Sequence, residues 1–177
     1  AKYNNRFAGT FGVAGTFSFF PAKTLGCFGD GGAVITDNDN IAKKIIMLRD
    51  HGRDPIDGKV KIFGFNSRLD NLQAAILNLK LKYYDTDIKR RREIAALYNE
   101  QLEEIDSILL PPPPSSNSKY FDIFQNYEIE VERRDELRDF LSSKGIGTII
   151  QWGGYAVHQF EDLNLIGEFD YTNEMTK

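Results

Sequence analysis

Four consecutive prolines at positions 111–114 constrain the fold of this 177-residue chain more than any other feature. Each proline ring fixes φ and removes a backbone hydrogen-bond donor, so residues 111–118, PPPPSSNS, cannot form a helix or a central strand. We therefore predict a connector there, with a separate folded part on either side. With 41% hydrophobic residues, the chain has enough apolar side chains for a real core.

Two short strands with a glycine-rich turn between them are predicted near the beginning of the chain. Residues 11–20 are small, β-branched or aromatic, and residues 33–36 are Ala-Val-Ile-Thr, both of which are typical of strands. The segment between them has four glycines in residues 26–32. This density of glycine indicates a tight backbone and the close approach of another group to it.

Two helical regions are predicted before the connector. Residues 37–39 can begin a first helix, which Gly52 ends. Residues 67–70, Ser-Arg-Leu-Asp, have the form of a capping box, and the apolar side chains after them recur at spacings of three and four. Helical character continues, after a break near Asp85, to about Ile105. We expect the second helix to bury one stripe of side chains, formed by Leu69, Leu72, Ile76, Leu79 and Tyr83.

The segment after the connector is predicted to be a small α/β unit of strand, helix and strand. Apolar residues alternate with polar ones across residues 123–131, a pattern typical of a half-buried strand. A helix is predicted over residues 135–144, with Gly145 at its end, and a further strand over residues 146–152.

Charge and composition exclude several classes of function. The net charge of −4 and the pI near 5.3 give no electrostatic basis for binding nucleic acid or an anionic membrane. No segment approaches the roughly 20 apolar residues that span a bilayer. Two histidines and one cysteine, widely separated, do not form a metal site. Cys27 is the only cysteine, which indicates a reducing compartment, and we expect a cytoplasmic protein.

Lys23 is the residue with the clearest chemical potential. It follows an aromatic strand and enters the glycine-rich turn, and we expect it to be buried at the open edge of the sheet, where burial favours the neutral, nucleophilic amine. Such an amine forms an imine with a carbonyl, which is how pyridoxal phosphate is anchored in proteins. Ser18, five residues earlier, can offer its hydroxyl to a phosphate. Composition by itself favours the alternative of an ordinary exposed lysine and a strand serine.

Two motifs resemble the signatures of one enzyme family. Residues 17–26, FSFFPAKTLG, followed by residues 29–34, GDGGAV, resemble the Schiff-base signature of the DegT/DnrJ/EryC1/StrS family of sugar aminotransferases. Residues 64–75, GFNSRLDNLQAA, resemble the family's next signature and lie at the expected distance downstream. Weaker agreement is found in the right order at residues 48–52, 126–127 and 144–148.

The resemblance implies an α/β fold that is part of a fold-type I pyridoxal-phosphate-dependent transferase. Residues 1–84 are then the C-terminal part of the large three-layer α/β domain, residues 85–110 a connecting helix, and residues 111–177 part of the small C-terminal α/β domain. Members of the family are about twice as long, so we expect the chain to lack the N-terminal part and the extreme C-terminus. Two cofactor partners, a stacking aromatic residue and an acidic residue at the pyridine nitrogen, are expected upstream. The isolated chain is therefore expected to be weakly active or inactive.

The resemblance also implies roles for individual residues. Lys23 holds pyridoxal 5'-phosphate as a Schiff base and, once released by substrate, moves the proton as acid and base. Ser18 binds the cofactor phosphate. Asn66 reaches the phosphate in the neighbouring subunit, so the active site requires a homodimer with shared sites.

Three further residues are candidates for contact with substrate, each with a plainer alternative. Arg68 either meets an anionic group of the substrate or orients its own loop, and a purely structural role is equally possible. His51 lines the site mouth in the functional interpretation and is a helix-end residue in the other. Trp152, in a segment of aromatic and amide side chains, contacts a sugar nucleotide or packs between domains.

The function implied by the resemblance is transfer of an amino group, with glutamate as the expected donor, to a keto carbon of a nucleotide-linked deoxysugar. The sequence leaves open which sugar and which carbon are used. A dehydratase branch of the family has histidine in place of the lysine, and Lys23 argues against that branch. Two alternatives from other classes are a non-catalytic regulatory homologue that binds the cofactor and a generic α/β interaction module.

Overall fold

The fold is given by a computed structural model, which describes residues 1–115, 119–165 and 167–175. It consists of two compact units, Ala1–Glu130 and Val131–Lys177. Residues 111–115 form neither helix nor strand, as expected, but they lie within the first unit, and residues 116–118 lie outside the described residues. The division of this chain into the domain ranges 1–84, 85–110 and 111–177 stays a prediction.

Along the first unit, four short strands are followed by three helices and then by further short strands, and the second unit is mainly helical. The strands are β1 (Lys2–Tyr3), β2 (Arg6–Phe7), β3 (Gly15–Ser18), β4 (Gly32–Ile35), β5 (Ile108–Leu109), β6 (Tyr120–Phe121) and β7 (Glu130–Val131). The α-helices are α1 (Asp39–Arg49), α2 (Asn71–Leu81), α3 (Tyr84–Leu102), α4 (Arg134–Ser143) and α5 (Asp170–Met175). Short 3-10 helices span Gln151–Gly154, Val157–Gln159 and Glu161–Leu163. In the described parts of the chain, no helix has the length and apolar character needed to cross a membrane.

Two small antiparallel sheets position the first unit's turns. Strand β1 lies between β2 and β6. Strand β3 pairs with β4, with Gly15 opposite Ile35 and Ser18 opposite Gly32. The two strands expected around the glycine-rich turn are therefore confirmed, although the first begins at Gly15 rather than at residue 11.

Helix α1 begins and ends close to the predicted positions. The Asn38 side chain caps its N-terminus by accepting hydrogen bonds from the backbone N–H groups of Asn40 and Ile41. At the other end Gly52, with φ of +78°, donates its N–H to Met47 O at 2.8 Å. The expected capping box at residues 67–70 is wrong, because Asp70 precedes α2 without a side-chain capping bond.

The stripe expected to be buried on α2 is largely exposed, with Leu72 71% and Tyr83 60% accessible. A different face of α2 packs against the rest of the unit. It carries the buried Leu77, together with Gln73 and Lys80, which bond to the glycine-rich loop. The physical reason is that Gln73 and Lys80 bond to backbone groups of the glycine-rich loop, which otherwise have no partner among the described residues. The helical break expected near Asp85 is confirmed, since α2 ends at Leu81 and α3 begins at Tyr84.

Residues 122–129 do not form the predicted strand, and only Glu130–Val131 is extended as β7. Phe124 has φ of +51° and its ring is buried. Arg91 of α3 donates to the carbonyls of Phe124 and Gln125. Because a side chain from a helix satisfies these carbonyls, the segment takes an irregular path instead of joining a strand ladder.

In the second unit, the predicted helix is confirmed as α4, and Gly145 follows its end with φ of +76°. The strand expected over residues 146–152 is wrong. Residues 146–150 pair with no strand among the described residues, and Trp152, Gly153 and Gly154 all have positive φ. Three successive residues in this left-handed region reverse the chain and end any extended path.

Candidate functional site

The turn that carries Lys23 starts where β3 ends. The Ser18 Oγ atom accepts a hydrogen bond from the Phe20 N–H at 3.3 Å, and the Lys23 N–H donates to Phe20 O at 2.8 Å. Ser18 and Lys23 are therefore joined through the backbone of a single residue between them. The structure brings these two predicted site residues into one turn.

Gly26 closes this turn. A Cβ atom at Gly26 would lie 2.6 Å from Phe20 O and 2.6 Å from Pro21 O, closer than real Cβ atoms come to backbone oxygen. The tight backbone expected from the glycine density is confirmed here. The group that approaches the glycine is the turn's own backbone.

Both side chains of the turn are open to solvent in this chain. Ser18 and Lys23 are exposed, so the expectation that this chain buries the Lys23 amine is wrong. Lys23 lies outside both strands, in the turn that follows β3, and no described residue makes a hydrogen bond or ion pair with its amine.

The polar atoms of the turn have capacity left for a ligand. Within residues 1–115, 119–165 and 167–175, the Lys23 Nζ atom has no hydrogen-bond or ion-pair partner, and no group accepts the Ser18 hydroxyl proton. The Ser18 oxygen is oriented by the Phe20 N–H, which leaves its O–H to donate elsewhere. A hydroxyl donor and a free amine on one turn suit a ligand with an anionic oxygen and a carbonyl carbon.

Asn66 belongs to a second cluster, at the C-terminal end of α1. Asp50 and Asn66 form an isolated antiparallel bridge. The Arg68 Nη2 atom donates to Asn66 Oδ1 at 3.3 Å, and Nη1 lies 3.3 Å from Asp50 Oδ1. Because the amide oxygen of Asn66 accepts from Arg68, its N–H₂ group, which has no hydrogen-bond partner among the described residues, is left to donate to an anion. In this chain Arg68 orients the Asn66 loop.

His51 and Trp152 are both exposed, and both have positive φ. His51 donates its backbone N–H to Phe65 O at 2.8 Å, which fixes its position next to the Asn66 loop. Trp152 lies in the second unit and its side chain is 80% accessible. Among the described residues, no hydrogen bond, ion pair or ring contact joins Asn66 or His51 to the turn of Lys23.

Helix α2 holds the glycine-rich loop in place through residues that the sequence analysis did not select. Gln73 Oε1 accepts the Phe28 N–H at 2.8 Å, and Lys80 Nζ donates to Gly26 O at 2.6 Å. A Cβ atom at Gly31 would lie 3.1 Å from Leu69 Cδ1. Gln73 and Leu69 both lie within the second motif, so within this chain the second motif supports the loop of the first.

Gln125 is the other residue that sequence reasoning missed. Its side chain bonds to both chain neighbours of Lys23, and Arg91 of α3 holds its backbone. Only the proximity of Gln125 to residues 126–127, where the resemblance is weak, could have drawn attention to it. The contacts join segments about a hundred residues apart, for which a single sequence has no local signal.

Comparison with known proteins matches residues 1–170 to the model of the DegT/DnrJ/EryC1/StrS aminotransferase family. A pleiotropic regulatory protein of Geobacillus stearothermophilus is 42% identical over 152 residues, which are 86% of this chain and 40% of that protein. The dTDP-3-amino-3,4,6-trideoxy-alpha-D-glucose transaminase of Streptomyces venezuelae is 39% identical over 153 residues, 86% of this chain and 39% of that enzyme. The chain thus spans about 40% of the length of these curated relatives.

Two solved structures resemble nearly the whole chain. The S. venezuelae protein DesV, crystallised in complex with a ketimine intermediate, has a TM-score of 0.85 and 34% identity, covering 99% of this chain and 46% of that one. A family aminotransferase from Brucella abortus has a TM-score of 0.86 and 33% identity, with the same coverages of 99% and 46%. These matches confirm the expected fold class, and the described chain is a mixed helix and sheet portion of that fold.

Proposed function

Because this chain belongs to the DegT/DnrJ/EryC1/StrS aminotransferase family, we propose that the protein containing it is a pyridoxal-phosphate-dependent sugar aminotransferase. The supporting observation is the turn on which the Lys23 amine and the Ser18 hydroxyl proton both lack partners among the described residues. An amine that attacks a carbonyl and a hydroxyl that binds a phosphate are what this cofactor requires of a protein.

The proposal gives each residue a distinct task. Lys23 attaches the cofactor covalently and later carries a proton to and from the reacting carbon. Ser18 donates its hydroxyl to the phosphate, and Asn66 donates from its N–H₂ group while its amide oxygen accepts from Arg68. The bound cofactor supplies the electron sink for the reaction.

For the substrate, we propose a nucleotide-linked keto sugar, with glutamate as the amino donor. The names of several relatives support a sugar nucleotide, including the S. venezuelae transaminase and a UDP-2-acetamido-2-deoxy-3-oxo-D-glucuronate aminotransferase of Pseudomonas aeruginosa. His51 and Trp152 remain candidates for contact with the sugar nucleotide. Arg68, engaged with Asp50 and Asn66, is proposed as an orienting residue rather than a direct substrate contact. We also propose a cytoplasmic location.

A regulatory protein that binds the cofactor without catalysis is the second candidate. One relative, at 42% identity, bears the name of a pleiotropic regulatory protein. The two candidates share the Lys23 turn and therefore share cofactor attachment. They differ in whether amino transfer follows.

Chemical trapping of the cofactor distinguishes the candidates. We expect that incubating the whole protein with pyridoxal phosphate, reducing with borohydride and mapping peptides will place the label on Lys23, with amino transfer to a keto sugar in a parallel assay. Label without transfer to any keto sugar nucleotide supports the regulatory candidate. Absence of label on Lys23 contradicts both and leaves an interaction module.

Asn66 is proposed to act across a homodimer interface, and mixed dimers test this. In the described chain no contact joins Asn66 to the Lys23 turn, as an arrangement across two subunits requires. We expect Lys23→Ala and Asn66→Ala proteins, each impaired alone, to regain activity when unfolded together and refolded. In a symmetric dimer half of the randomly paired molecules are mixed and each has one intact site, so recovery should approach about a quarter of the wild-type activity.

The matched control mixes Lys23→Ala with Ser18→Ala, two defects on one turn. Because Lys23 and Ser18 belong to the same turn of one chain, every site of a mixed dimer then lacks one of the two residues, and no site is intact. This pair should give the same recovery only if Ser18 also acted across the interface. Failure of the first mixture to recover, with mixed dimers shown by mass spectrometry, contradicts the role across the interface.

A further inference from the structure

Gln125 brackets Lys23 without touching its side chain. Its Oε1 atom accepts hydrogen bonds from the Thr24 backbone N–H and from Thr24 Oγ1, both at 2.6 Å. Its Nε2 atom donates to Ala22 O at 2.9 Å. The two ends of one carboxamide therefore fix the residues before and after the lysine.

The backbone that carries Gln125 is itself anchored to helix α3. Arg91 Nη1 lies 3.2 Å from both Phe124 O and Gln125 O and donates to each. Phe124 is buried, with 5% of its surface accessible, and its backbone N–H donates to Asp122 Oδ1 at 2.9 Å. A buried ring and a charged donor from a helix thus fix the position of the carboxamide.

The bracketing matters because the Lys23 side chain has no support of its own. Its Nζ atom has no partner in the described parts of the chain, and the residue is exposed. The direction of its Cα–Cβ bond is therefore set by the backbone of residues 22–24. Precise placement of a reacting group by neighbouring residues is a large part of its reactivity.

We propose that Gln125 is a positioning residue that holds the Lys23 backbone in the orientation needed for covalent attachment of the cofactor. The inference rests on the proposed function, since it concerns the same attachment. A carboxamide suits this position because it donates and accepts at once, whereas a carboxylate only accepts and would face Ala22 O without a proton.

The test compares Gln125→Ala and Gln125→Glu with the wild-type whole protein. The Gln101→Ala variant is the matched control, since Gln101 is exposed on α3 and has no partner among the described residues. Two quantities are measured: hydrogen exchange at the Thr24 amide without cofactor, and the rate at which borohydride-trappable pyridoxal phosphate accumulates on Lys23. For Gln125→Ala we expect exchange to be faster and attachment slower, each by roughly tenfold or more.

Gln125→Glu provides a readout that a merely structural role would not move. At neutral pH its carboxylate keeps the acceptor for Thr24 but loses the donor to Ala22 O. Protonation at lower pH restores an O–H donor, so the ratio of the variant's attachment rate to the wild-type rate should rise toward one as the pH falls. Thr24→Val, which removes one of the three bonds, should slow attachment in the same direction by a smaller factor.

Two outcomes overturn the inference in different ways. In the first, the residue-24 amide of Gln125→Ala and Thr24→Val exchanges faster than in the wild type, but the cofactor attaches to Lys23 at the wild-type rate. Gln125 then only stabilises the loop, and the proposed function is unaffected. If the wild-type protein fails to attach pyridoxal phosphate at Lys23, the proposed function fails and the inference fails with it. Circular dichroism of each variant shows whether a slow rate reflects loss of the fold.

Discussion

Replacing Lys23 with alanine is expected to abolish the trapped cofactor label and to lower the rate of amino transfer by at least about a thousandfold. The variant loses both the amine that attaches the cofactor and the group that moves the proton, and acid–base catalysis by itself contributes about 10²–10⁴-fold. The fold should be unaffected, because the side chain is exposed and without a partner among the described residues. The measurements are single-turnover transfer kinetics and the thermal midpoint of unfolding.

The control for this prediction is Lys43→Ala. Lys43 is exposed on α1 and, like Lys23, its side chain has no partner in the described parts of the chain. Its loss should leave both label and transfer at wild-type levels. Transfer that survives in Lys23→Ala, or a label that moves to another lysine with activity retained, would contradict the assignment of Lys23.

Replacing Gly52 with alanine is expected to destabilise the protein by about 3 kcal/mol or more. A Cβ atom there would lie 1.7 Å from Ile62 O, and φ of +78° adds strain for any residue with a side chain. Gly64 lies against the backbone of Gly52, because a Cβ atom added at Gly64 would lie 2.1 Å from Gly52 N. The two glycines let the end of α1 lie directly against the segment that carries Asn66.

Gly58 offers a close control for this effect. Its φ of +70° matches that of Gly52, but an added Cβ atom meets nothing within 4 Å. Gly58→Ala should therefore show the conformational strain by itself, a loss of about 1 kcal/mol. Urea unfolding of the three proteins measures the difference, and equal destabilisation of the two variants would show that the backbone contact at Gly52 is unimportant.

The placement of the Lys23 turn was predictable because its signals are local. Within residues 18–26, the Ser18–Phe20 and Lys23–Phe20 hydrogen bonds and the close approach of Gly26 to Phe20 and Pro21 all join residues a few positions apart. The same holds for the ends of α1 and α4, where a capping asparagine or a glycine satisfies groups within one helical turn. The motif spacing then identified the family without any knowledge of packing.

The exposure of Lys23, the face of α2 that packs and the irregular path of residues 122–129 were not predictable in this way. The last two depend on which distant group satisfies a backbone donor or acceptor, and the exposure of Lys23 depends on which atoms surround its turn. Gln73 and Lys80 turn a partly polar face of α2 toward the glycine-rich loop, against the preference of the apolar stripe. Arg91 donates hydrogen bonds to the backbone carbonyls of Phe124 and Gln125, which would accept from a neighbouring strand if this segment joined a sheet.

The sequence by itself determined where the Lys23 amine lies in the chain, which turn carries it and to which family the chain belongs. The tertiary structure decided how that amine is held: Gln125 reaches the turn from about a hundred residues away, and Arg68 orients Asn66 from its pair with Asp50. The physical reason is one of range. Helix ends and turns are set by interactions between residues a few positions apart, which can be recognised in a sequence. The backbone donors and acceptors of loops form hydrogen bonds with distant groups, and only the fold shows which groups these are.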